Sequence, residues 1–150
     1  MPRKDEPDKR TRTVLTVLDV NNFWSPTGGG VRRYELEKAR VLGSMPDVKF
    51  VFALPDRTTW SERISERVVF EHIGDSMRWL GEYRNIVVPG ELRRVVERHS
   101  PDVIECGSPI FLPPLMRPIT ANLARPPAIV GFWHTDFPRV YTGLGMRLIH

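Results

Sequence analysis

The chain has one cysteine, Cys106, in 150 residues, which excludes an internal disulfide and points to a reducing compartment. No apolar run reaches the roughly 18 residues of a membrane span, and the N-terminus lacks the basic-then-apolar pattern of a secretory signal. The expected location is cytoplasmic, with room for peripheral contact at the inner membrane face. G-x-G-x-x-G, the ATPase P-loop pattern and G-x-S-x-G are all missing, which disfavours a dinucleotide cofactor, a P-loop ATPase and a nucleophile-elbow hydrolase. His72, His99, His134 and His150 are scattered without metal-ligand spacing, so no metal site is expected. The four tryptophans form no stripe on one strand, which weakens a single-strand nucleic-acid platform. There is no internal repeat and no low-complexity body.

What is present suits one globular domain: 41% hydrophobic and 27% charged residues, with a net charge of +4. The opening RKDEPDKRTR mixes both signs and carries no apolar run, so residues 1–12 read as a solvated tail and 13–150 as the folded part. Prolines fall at segment borders (Pro46, Pro55, Pro89, Pro101, Pro126 and Pro127), as punctuation between elements would.

TVLTVLDV (13–20) is the continuous apolar, β-branched pattern of a strand covered on both faces. The loop NNFWSPTGGG follows, and then VRRYELEKARVLGS (31–44), rich in helix formers, with Gly43 placed to close the helix. Further strands are expected over 48–55, 67–74, 102–109 and 128–138. Helices are expected over 90–100, where Leu92, Val95, Val96 and His99 share a face, and over 111–124, where Pro118 invites a kink. DRTTWSER reads as a polar connection and 76–87 as mixed, partly helical sequence. The order β-α-β, repeated with short connections, predicts an open α/β sheet, mainly parallel, with its ligand site beyond the carboxyl ends of the strands.

That rule places the Asn21–Gly30 loop, Gly107 with Ser108, and His134 to Asp136 at one edge. Gly28, Gly29 and Gly30 precede a helix whose first amides are unpaired and whose dipole favours an anion, with Arg32 and Arg33 close by. Taken alone, the loop suits a phosphate and a tight turn equally. His134 follows an apolar strand directly, which suits a catalytic or ligand-binding imidazole and equally a half-buried structural one, with Asp136 able to fix backbone or substrate. Cys106 reads as a buried structural thiol.

SPTGGGVRRYELEKARVL, PDVIECGSP and VGFWHTDFPRVY together resemble the N-terminal domain of family-4 glycosyltransferases, notably mannosyltransferase-like members, from about Val14 to Tyr141. The resemblance implies one Rossmann-like half of a two-domain GT-B fold, with helices on both faces of the sheet. It implies transfer of a hexose from a nucleotide sugar to the hydroxyl of a sugar- or lipid-linked acceptor, with retention of configuration and with neither metal nor other cofactor. By position, Gly29 and Gly30 resemble the loop that approaches the donor phosphates and acceptor, and His134 the histidine that contacts the transferring sugar. Arg32, Ser108 and Asp136 are weaker binding candidates. The family's Glu-x7-Glu motif belongs to a C-terminal domain not found in these 150 residues. The expectation is therefore a fragment that needs that domain, or a partner supplying it, for robust activity. The rivals are a non-catalytic α/β binding or assembly module and, last, a basic nucleic-acid binder.

Overall fold

A computed structural model describes residues 14–27, 29–74, 76–78, 84–108 and 111–133. Its centre is a six-stranded sheet built from β1 (Leu15–Val20), β2 (Val48–Pro55), β3 (Trp60–Arg63), β4 (Val68–Ile73), β7 (Val103–Cys106) and β8 (Ala128–Gly131), in the order β3-β4-β2-β1-β7-β8. Every pairing is parallel except β3 with β4, which is antiparallel at one edge. The helices are α1 (Gly30–Ser44), α2 (Pro89–His99) and α3 (Leu112–Thr120), and two short strands, β5 (Met77–Arg78) and β6 (Arg84–Asn85), pair as a separate ribbon. This is a Rossmann-like open α/β fold. Among the described residues, no helix is long and apolar enough to cross a membrane.

Strand alternation splits the core into two layers. Leu18 and Val20 of β1, Val51 and Ala53 of β2, and Ile104 and Cys106 of β7 point to one face, where they meet Leu92, Val95 and Val96 of α2 and Leu112, Met116 and Ile119 of α3. Phe50, Phe52 and Leu54 of β2, with Val68 and Phe70 of β4, point to the other, against Ala39 and Leu42 of α1. Phe52 meets Phe70 edge-on with ring centres 5.3 Å apart, and Trp24 meets Phe52 at the same separation. Both faces of the central strands are covered, which is why their sequences are mainly apolar on both sides.

Four local readings are revised. Gly43 lies inside α1 and does not close it; a β-carbon there would fall 2.6 Å from Val68 Cγ2, so its bareness lets the helix approach the sheet. WSER, expected as connection, is β3, an edge strand whose four residues are all exposed and so carry no apolar alternation. The expected partial helix in 76–87 contains β5 and β6, and 79–83 lie outside the described residues. Helix α3 ends at Thr120, earlier than expected, and accommodates Pro118 in its last turn.

Candidate functional site

Strand β1 delivers two buried asparagines to the carboxyl edge of the sheet. Asn21 Oδ1 accepts from the Phe23 amide at 2.8 Å, an Asx-turn that bends the chain out of the strand, while its Nδ2 donates to Glu35 at 2.9 Å. Asn22 Oδ1 accepts from the Ile86 amide at 3.0 Å and ties the loop to the segment before α2. The loop reaches Gly29 at φ 104° and ψ 162°, a conformation that side chains rarely adopt. The Gly29 carbonyl then accepts from Arg33 N at 3.2 Å to close the first turn of α1. That turn has no side-chain cap and no acidic residue, so its amides and the positive end of its dipole face the carboxyl edge uncompensated by local carboxylates.

A charged cluster underlies this loop on the α1 face. Asp19 accepts from Lys38 Nζ at 2.5 Å, and Lys38 also pairs with Glu105 at 2.7 Å, so β1 and β7 are joined through a lysine of α1. Glu35 is fully buried beside them. Burial, and next the charge of Asp19, push the Glu35 carboxyl up to about 9; it holds a proton at neutral pH and donates it in a hydrogen bond to Asp19. Burial likewise raises Asp19 above the ordinary aspartate value, against the pull of Lys38. For Lys38, burial works against the charge, but its two carboxylate partners outweigh it and hold the ammonium above the usual lysine value. The cluster fixes the start of α1 and the base of the glycine loop as one unit.

A cleft of about 470 Å³ opens at the carboxyl ends of β1, β2 and β4. The glycine loop contributes Trp24, Pro26 and Thr27, and α1 contributes Arg32. Leu54 to Arg57 supply the floor and one wall, with His72 from β4 and Arg84 from β6 opposite. The Arg32 guanidinium lies 5.6 Å from the Trp24 ring centre. Arg84 donates to the Ser76 carbonyl at 3.0 Å. Asp56, the one carboxylate among the described lining residues, is already engaged: it accepts from the Arg57 amide at 2.6 Å, from Trp60 Nε1 at 3.2 Å and from His72 Nδ1 at 2.7 Å. Burial opposes its ionisation, but these donors prevail and hold the carboxyl below the usual aspartate value. Trp60 stacks on the His72 ring with centres 3.8 Å apart, so the missed strand β3 buttresses the His72–Asp56 pair.

Of the residues singled out by sequence, Arg32 lines this cleft, and Gly29 and Gly30 head the adjacent helix, exposed. Ser108 is buried on the other side of β1, where its carbonyl accepts from the amides of Phe111 and Leu112 and opens α3. Gly28, His134 and Asp136 lie outside the described residues. Cys106 is fully buried, and burial pushes its thiol up to about 12. Sequence reading missed Arg57, Arg84 and His72. Arg57 had a signal, since it stands two residues past a strand at its carboxyl end; Arg84 sits in a segment with no periodicity. No protein-family model matches this chain, and no curated protein matches it.

Proposed function

We propose that the chain is the acceptor-side domain of a retaining glycosyltransferase with two facing Rossmann-like domains, which passes a hexose from a nucleotide sugar to an acceptor hydroxyl. The observation that carries this reading is the pairing of an uncapped helix headed by Gly29 and Gly30 with a cationic cleft at the same carboxyl edge. Open α/β sheets bind ligands at that edge, and anions favour helix N-termini. The sequence blocks SPTGGGVRRYELEKARVL and VGFWHTDFPRVY support the same assignment.

In the proposed reaction the bond from the sugar's anomeric carbon to the donor phosphate breaks as the bond to the acceptor oxygen forms on the same face. The departing phosphate takes the acceptor's proton and leaves as part of a nucleoside diphosphate. The α1 N-terminus stabilises the negative charge that grows on that phosphate, which is electrostatic catalysis by fixed dipoles. His134 contacts the transferring sugar. The test is transfer from a panel of nucleotide sugars by the full product of the encoding gene, with His134→Ala as the control. Turnover lost in that variant supports the reading. A gene product that neither binds nor hydrolyses any nucleotide sugar overturns it in favour of a non-catalytic binding module.

A further inference from the structure

We infer that the cleft at the ends of β1, β2 and β4 is a phosphate-ester site, in which Arg32, Arg57 and Arg84 grip the phosphoryl group of a small phosphorylated ligand. The three arginines come from α1, the loop after β2 and strand β6, segments distant in sequence that the fold brings around one cavity of about 470 Å³. Among the described residues, none of the three forms an ion pair, although other surface arginines do: Arg40 with Glu37 and Arg94 with Glu91. Asp56, held ionised by the three donors it accepts from, supplies one negative charge against the three guanidinium groups.

Among the described lining residues, three guanidinium groups against one carboxylate leave a net positive charge that favours a bound anion. A phosphomonoester carries roughly −1.5 to −2 at neutral pH and three acceptor oxygens, which matches several guanidinium forks better than a carboxylate does. The volume is in the range of roughly 300–1,000 Å³ that holds small ligands. Trp24, Leu54 and Pro55 give the rest of such a ligand an apolar wall. On the glycosyltransferase reading, on which this last assignment rests, the ligand is the acceptor, and the transferred sugar goes to a hydroxyl of a phosphorylated polyol or of a phospholipid headgroup. The site itself follows from the cleft alone.

The experiment is isothermal titration of the full chain with inorganic phosphate and with glucose 6-phosphate, and co-sedimentation with phosphatidylcholine vesicles with and without phosphatidic acid. Wild type is compared with Arg57→Gln, Arg32→Gln and, as a control away from the cleft, Arg94→Gln. Binding of a soluble phosphate, or of the acidic vesicles, that weakens about 10-fold or more in the cleft variants and not in Arg94→Gln supports the site; which probe binds identifies a free ester or a lipid headgroup. Arg57 is exposed and bears no packing duty, so Arg57→Gln decides the matter even if Arg32→Gln, which also loses its stack on Trp24, misfolds. Absence of binding, or binding equally strong in every variant, overturns it. Phosphate binding by the cleft without sugar transfer in the whole gene product supports the site and removes the transferase reading. Sugar transfer by a gene product that binds neither the soluble phosphates nor the acidic vesicles, or binds them equally in Arg57→Gln, does the reverse.

Discussion

Asn21 and Gly107 touch across the boundary between β1 and β7: a β-carbon at position 107 would lie 2.6 Å from Cγ and Nδ2 of the asparagine. Strand order reverses at this boundary, since β1 leads on to β2 on one side and the chain later returns to β7 on the other. The Asn21 carboxamide fills the crevice there, and the open cleft lies on the β2 and β4 side.

Gly107→Ala should therefore push the carboxamide away from Glu35 and from the Phe23 amide. The expected loss of stability is about 1–3 kcal/mol, the range for overpacking a tight interior. Urea unfolding measures it, and an unchanged midpoint would show that the asparagine moves freely.

Glu35→Gln keeps both hydrogen bonds, accepting from Asn21 and donating to Asp19, without a titrating proton. In wild type the Glu35 carboxyl titrates near 9 when folded, against an ordinary value of 4.5, so the stability it lends is complete below pH 4.5 and is lost as pH rises towards 9. The variant should gain on wild type steadily across that interval in thermal melts. Parallel curves would mean that Glu35 is ionised in the fold.

A second cluster governs the acid side. Glu71 of β4 accepts from Ser61 of β3 at 2.5 Å, from Arg98 and from His99 Nε2 at 2.6 Å, joining the edge strand to α2. Burial opposes ionisation of Glu71, but these partners hold its carboxyl below the ordinary 4.5. Burial holds His99 below its ordinary 6.5 despite Glu71. Both shifts give stability at neutral pH that is lost on acidification, His99's beginning below 6.5 and that of Glu71 below 4.5. His99→Gln should flatten the upper part of this decline in pH-dependent unfolding and leave the lower part; an unaltered profile would discount the histidine.

Phe52→Ala removes the ring on which both Trp24 and Phe70 rest. The expected cost is about 3–5 kcal/mol, and tryptophan emission should shift as Trp24 loses its seat beside the cleft. A cost under about 1 kcal/mol would place the support of Trp24 elsewhere.

Strand β2 was legible to the residue because both its faces are buried and Pro46 and Pro55 frame it. The sequence pattern of β1 also showed, although Asp19 sits in the middle of it: one carboxylate does not disturb an apolar run, and its partner Lys38 lies 19 residues away on another element. β3 was hidden because an edge strand of four exposed residues, three of them polar, follows neither period. The cleft was half visible. Arg32 follows the glycines directly, whereas Arg57, His72 and Arg84 become neighbours only when β2, β4 and β6 are set in place, which is long-range information that no local spacing carries.

Helix α1 is a rod seated on the sheet at its middle, through Lys38, and near its end, at Gly43. At Gly43 it rests on Val68 with no room for a methyl group, and Gly30 stands roughly 20 Å away at the helical rise of about 1.5 Å per residue. A helix lifted at that contact would pull on the Lys38–Asp19 pair that anchors its middle, between Gly43 and the tip that carries Arg32 and the exposed amides. Bare Gly43 thus bears on the cleft's rim from the far end of the helix.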